Sequence, residues 1–76
     1  MLKIVPISYQ RLARVLEAEG FRFSRQKGDH LIYTKEDSVR PIVIPMYVDV
    51  PVFIIKNILR TAQVSRERYF ELLESH

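Results

Sequence analysis

His30 is the side chain in this sequence best suited to acid–base chemistry. It is one of two histidines, and an imidazole ordinarily titrates near pH ~6.5, so it takes up and gives up protons at cellular pH. It directly follows Lys27-Gly28-Asp29, which is typical of a tight turn with glycine at positive φ. We expect it at a corner of a sheet, within reach of solvent and of a docked ligand. The alternative is that His30 is a strand residue without a catalytic role. The other histidine, His76, is the last residue and is expected to be frayed.

The other common catalytic patterns are missing from the sequence. No two histidines stand at metal-ligand spacing and the carboxylates are scattered, so neither a metal site nor a cofactor is predicted. Ser8 and Ser65 are better explained as helix caps, and Gly28 is too isolated for a phosphate-binding glycine loop. What remains is metal-free proton transfer by His30. RNA suits that chemistry because its 2′-hydroxyl is a built-in nucleophile, which DNA lacks.

The charge distribution favours a polyanionic partner. Twelve basic against nine acidic residues give a net charge of +3, and the N-terminal half carries most of the excess. Arg25, Lys27 and Lys35, with the Gly28 turn, are the candidates for binding phosphate, although ordinary solvated charges are an equal alternative. Most aromatic residues are expected in the core, but Tyr33 and Tyr47 lie near a basic side chain or a chain reversal and are kept as candidates for base stacking.

Helix and turn signals define the elements that would position these residues. Ser8 is a cap for a first helix that ends at Gly20. Strands are predicted over residues 21–26, 30–35 and 39–44. Pro41 interrupts the third strand and favours an edge position or a local bulge there. A second helix should open near Asp49 and Pro51, and Ser65 should cap a short terminal helix.

This order of elements predicts an α+β fold of one domain over residues 1–76. Helices on one face of a three-stranded antiparallel sheet form a two-layer sandwich. The chain has no cysteine, which argues against disulfides and an oxidising compartment. No signal peptide or membrane span is apparent, so we expect a cytoplasmic protein that does not associate with membranes.

Several segments together resemble the HicA family of toxin–antitoxin systems. The similarity runs from about Pro6 to Ala62, and its most specific part is the glycine–x–histidine turn. The segments that carry it are Ile7-Ser8-Tyr9, Gly20-Phe21, the run Arg25-Gln26-Lys27-Gly28-Asp29-His30, Tyr33, Ile44-Pro45 and Ile58-Leu59-Arg60.

The resemblance implies a fold like that of double-stranded-RNA-binding domains and metal-free endoribonuclease cleavage of mRNA. It implies His30 as the catalytic residue and neutralisation by a HicB-type antitoxin, the toxin being a monomer or part of a toxin–antitoxin hetero-oligomer. Two alternatives remain open from the residues. One is a non-catalytic RNA-binding module, and the other is a decayed toxin that acts only as a partner-binding protein.

Overall fold

The first helix, α1, begins and ends where the sequence predicts. In the computed structural model, which describes residues 2–37 and 40–75, α1 spans Tyr9–Ala18. The Ser8 hydroxyl accepts a hydrogen bond from the Arg11 N–H at 3.3 Å, as an N-cap does. At the other end Gly20 adopts a φ of 101°, and the Phe21 N–H donates to the Leu16 carbonyl at 3.0 Å. This is the left-handed helix ending that favours glycine.

A hairpin follows α1 and presents the histidine. Strand β1 spans Arg22–Lys27 and strand β2 spans His30–Thr34, one residue from the predicted bounds. Lys27 and His30 are cross-strand partners, so the turn consists of Gly28 and Asp29 alone. His30 is therefore the first residue of the central strand.

The third strand, β3, spans Ile42–Pro45 and pairs antiparallel with β2. The sheet order is β1-β2-β3, so β3 lies at an edge as predicted. The prediction that this strand already includes Arg40 and Pro41 is wrong: it begins after Pro41, because proline has no N–H for a ladder hydrogen bond. The predicted start at Val39, like the preceding Ser38, lies outside the described residues, as does His76.

Two helices complete the order of elements. Helix α2 spans Val52–Ala62 directly after Pro51, and α3 spans Arg66–Ser75. The Ser65 hydroxyl accepts from the Arg68 N–H at 3.1 Å, which confirms the predicted cap. Helix α3 is ten residues long, longer than the short helix expected, because Tyr69 and Leu72 are both buried.

One hydrophobic core lies between the helices and one face of the sheet. Tyr33, Ile42 and Ile44 from the sheet are buried in the same cluster as residues of all three helices. This arrangement confirms the predicted α+β fold, which resembles double-stranded-RNA-binding domains. Within the described residues, no helix is long and apolar enough to cross a membrane.

Candidate nucleic-acid-cleaving site

The turn before His30 is fixed by three local features. Gly28 has a φ of 58°, which suits the first position of a two-residue hairpin turn. The Gln26 side-chain amide donates to the Gly28 carbonyl at 3.1 Å, and the Met46 N–H donates to the Asp29 carbonyl at 2.8 Å. The turn is thus held both by β1 and by the chain leaving β3, and the position of His30 is well defined.

His30 is exposed at the start of β2, and its cross-strand partners are Lys27 and Pro45. In the part of the chain that the structure describes, its imidazole makes no hydrogen bond or ion pair. No hydrogen bond from the described residues therefore occupies either ring nitrogen. An exposed imidazole without a protein partner can exchange protons with a bound ligand.

A β-bulge in β1 changes which side chains share a face of the sheet. Phe23 pairs with Tyr33 but Arg25 pairs with Ile32, so Ser24 is an extra residue in β1 without a partner in β2. Directly opposed residues of an antiparallel pair point to the same face. Arg25 therefore lies on the face of Ile32 rather than that of Phe23, whose ring contacts Tyr33 edge-on at 5.9 Å.

The face turned away from the core, which we call the open face, carries most of the predicted site. Tyr33 belongs to the core cluster whereas Ile32 does not. The side of the sheet that carries Ile32 is therefore the open face. Arg25 and Lys27 lie on the open face with His30, as the pairings show. The residues of this face are Arg22, Arg25, Lys27, His30, Ile32, Thr34, Val43 and Pro45.

Arg22 lies on the open face although it is not among the phosphate-binding residues predicted from the sequence. It pairs with Thr34 and therefore shares the open face with Arg25 and Lys27. Strict alternation along β1 would place positions 22 and 25 on opposite faces. No residue type marks Ser24 as a bulge, so the sequence carries no signal that would have grouped these cations.

Lys35 lies apart from the other predicted phosphate-binding residues. It follows β2 at the end opposite His30, about 16 Å away along an extended strand. Its ammonium stands over the Phe21 ring, 5.4 Å from the centroid. Together with Phe21, Arg60 and Gln63 it lines a cavity of about 430 Å³. That cavity is remote from the Gly28–His30 turn.

The two tyrosines kept as stacking candidates have different surroundings. Tyr33 is only 4% exposed, and its hydroxyl donates to Glu17 Oε2 on α1 at 2.7 Å. Burial, and then the hydrogen bond to Glu17, raise the pKa of Tyr33 to about 12. Tyr47 is 48% exposed. Tyr33 is thus a structural residue, and Tyr47 remains available to a ligand.

Within residues 2–37 and 40–75 no three His, Cys, Asp or Glu side chains are grouped closely enough to hold a metal ion. A search of curated proteins gave no significant match. A comparison with protein families did: residues 9–64 match the family described as "HicA toxin of bacterial toxin-antitoxin". The matched segment includes the Gly28–His30 turn and ends before α3.

Proposed function

Because the chain belongs to the HicA toxin family of bacterial toxin–antitoxin systems, we propose that it is an endoribonuclease that cleaves mRNA through His30. It acts in the cytoplasm, where its substrate is found, and it needs no metal ion. The observation that carries the proposal is the exposed, unpartnered imidazole of His30 on the same face of the sheet as three cations.

The proposed reaction uses the nucleophile that RNA itself provides. His30 removes the proton from a 2′-hydroxyl, or protonates the leaving 5′-oxygen, or does both in turn. The 2′-oxygen attacks the adjacent phosphorus and the bond from phosphorus to the 5′-oxygen breaks. The products are a 2′,3′-cyclic phosphate and a 5′-hydroxyl end. When His30 does both, the proton that it takes from the 2′-hydroxyl is the one that it delivers to the leaving 5′-oxygen; when it does only one, water makes the other transfer.

The cations of the open face bind and position the RNA backbone in this proposal. Arg22, Arg25 and Lys27 follow β1 along one side of His30, so successive phosphates meet them in order. Lys27, the cross-strand neighbour of His30, is placed to stabilise the negative charge that develops on the reacting phosphate. Gly28 shapes the turn that brings the backbone of the protein close to the RNA.

Membership of a toxin–antitoxin family implies an antitoxin partner, and we assign that role to a HicB-type protein. An acidic surface that covers His30 and the open face would compete directly with RNA. Hydrogen exchange of the complex tests this: the amides of Gly28, Asp29 and His30 should be protected by the antitoxin. A complex that leaves these amides as exposed as in the free toxin contradicts this mode of inhibition.

The test of the ribonuclease proposal is His30→Ala. A positioned acid–base group contributes ~10²–10⁴-fold, so cleavage of an RNA oligonucleotide should fall by that factor, and growth arrest should be lost. Gln10→Ala is the control, since Gln10 is an exposed polar residue of α1, away from the open face; it should cleave normally. A chelator should leave wild-type activity unchanged.

Cleavage by folded His30→Ala protein, with the fold checked by circular dichroism, would remove the mechanism. Two alternatives would then be separated by RNA binding. A non-catalytic RNA-binding module binds RNA with a steep salt dependence, whereas a decayed toxin binds only its protein partner.

A further inference from the structure

We propose that Tyr47 is a base-binding subsite, whose exposed ring stacks on an unpaired nucleobase of the RNA next to the bond that His30 cleaves. This inference rests on the proposed ribonuclease function and adds a binding residue to it. The ligand is a nucleobase of single-stranded RNA, because a paired base inside a duplex does not offer its face for stacking.

The position of Tyr47 follows from the backbone hydrogen bonds around the histidine. Pro45 is the cross-strand partner of His30, and the Met46 N–H donates to the Asp29 carbonyl at 2.8 Å. Tyr47 is the next residue, so it leaves the sheet beside the Gly28–His30 turn. Consecutive Cα atoms are about 3.8 Å apart, which keeps Tyr47 within two such steps of the residue opposite His30.

The backbone of Tyr47 is held from two sides. Its N–H donates to the Pro45 carbonyl at 2.8 Å, and its carbonyl accepts from the Tyr9 N–H at 3.1 Å. The residue is thus tied both to the end of β3 and to the start of α1. A ring on such a fixed backbone loses little conformational entropy when it binds a ligand.

The exposed ring of Tyr47 has no structural role that the following contacts would show. Tyr47 is 48% exposed, and within the described residues its hydroxyl makes no hydrogen bond and its ring no aromatic contact. By contrast, Tyr33 is buried and bonded to Glu17, and Phe23 is packed edge-on against Tyr33.

The local charges decide what kind of interaction Tyr47 makes. Lys27 and Asp29 lie at this end of the sheet, and Asp49 is two residues beyond Tyr47; all three are exposed. These groups together carry no excess of positive charge. Affinity at Tyr47 comes from stacking, which hardly depends on salt, whereas affinity at Lys27 comes from phosphate and falls with salt.

The experiment measures binding of short single-stranded RNA to protein carrying His30→Ala, so that nothing is cleaved. In that background Tyr47→Ala should weaken binding about tenfold or more, with the slope of log Kd against log salt unchanged. Tyr47→Phe keeps the ring and should bind nearly as well as the parent. Phe53→Ala is the matched control, since Phe53 is also an exposed aromatic residue; it should have no effect.

The subsite is located by moving one abasic nucleotide along the RNA. At the position that stacks on Tyr47, the abasic change should weaken binding to the parent protein but not to the Tyr47→Ala variant; at other positions the two proteins should respond equally. With His30 intact, Tyr47→Ala should raise KM and alter which bonds are cut.

Each other outcome has a definite meaning. If Tyr47→Ala leaves binding in the His30→Ala background unchanged, and with His30 intact leaves cleavage as in the wild type, the subsite is wrong and the ribonuclease proposal stands. If Tyr47→Ala weakens only antitoxin binding, the ring belongs to a protein-docking surface and the inference is overturned. If the wild-type protein neither binds nor cleaves RNA, both the subsite and the proposed function fail.

Discussion

Tyr33 joins the helices to the sheet through one polar contact in an otherwise apolar environment. Its hydroxyl donates to Glu17 on α1, and the tyrosine is held in its neutral form because burial and the neighbouring carboxylate both disfavour a phenolate. An unfolded chain has neither influence. The protonation state of this one residue therefore couples folding to pH at the alkaline end.

We predict that Tyr33→Phe flattens the alkaline loss of stability. The pKa of Tyr33 is raised from 10 to about 12 in the folded protein, so the unfolded state loses the proton first. The stabilisation is complete below pH 10 and is lost as the pH rises to about 12. In urea titrations over that range, the wild type should lose up to ~1.4 kcal/mol per pH unit from this group, and Tyr33→Phe should lose less.

Tyr69 provides the internal reference for this measurement. Burial also raises the pKa of its hydroxyl. Tyr33→Phe should therefore still lose some stability at alkaline pH, and a double variant with Tyr69→Phe should lose less. Identical pH profiles for wild type and Tyr33→Phe would show that Tyr33 titrates alike in the folded and unfolded chains.

Gly28 gives a prediction about backbone conformation alone. A side chain at this position would meet no atom within 4 Å, but the φ of 58° is unfavourable for alanine. Gly28→Ala should therefore lower the free energy of unfolding by about 1–2 kcal/mol, measured as a lower urea midpoint with an unchanged m-value. Gly28→Asn should be milder, because asparagine tolerates this region. Equal stability of wild type and Gly28→Ala would mean that the turn relaxes.

At the scale of elements, the sequence predicts the parts whose structure is set locally. Ser8 and Gly20 mark both ends of α1, and the Gly28 turn sets the hairpin, because a cap and a positive φ depend on a few adjacent atoms. The predicted fold class and His30 at the start of a strand follow from them. The bulge at Ser24 and the grouping of Arg22 with Lys27 depend on hydrogen bonding between strands, which no local pattern shows.

Helix α3 lies beyond the segment that matches the family, yet it contributes to the core. Leu72 is 3% exposed, and Arg68 Nε lies 3.0 Å from Glu19 Oε1 near the end of α1. Leu72→Ala should therefore cost about 2–5 kcal/mol of stability in one cooperative transition. Leu73→Ala, at a half-buried position, is the control and should cost less. Near-native stability of Leu72→Ala would show that α3 is dispensable.

At the scale of the whole molecule, we expect RNA binding to depend more on the positions of the cations than on the net charge. The net charge is +3, and Arg22, Arg25 and Lys27 occupy one face of the sheet. Neutralising three phosphate contacts to single-stranded RNA changes the slope of log K against log salt by about 2. Changing these three residues to glutamine should therefore reduce the slope by that amount in protein that carries His30→Ala.

The control for this measurement removes the same charge elsewhere. Arg14, Lys56 and Arg60 are exposed on helices, and changing them to glutamine should leave the salt slope nearly unaltered. Equal loss of slope in the two triple variants would show that RNA responds to overall charge, and the assignment of the open face as its binding surface would be wrong.

Because Ser24 has no partner in β2, strand β1 can lose one residue without disturbing the sheet, whereas β2 cannot. This difference affects which deletions in the gene the fold tolerates. Loss of the Ser24 codon would remove the one residue of β1 without a partner. The ladder would become regular, and Arg25 and Lys27 would stay opposite Ile32 and His30, on the same side of the sheet. Strand β2 has no such unpaired residue. Loss of a codon within β2 would therefore move the side chains of part of that strand to the opposite side of the sheet. Homologues of this toxin are therefore expected to differ by one residue in the length of β1 more readily than in the length of β2.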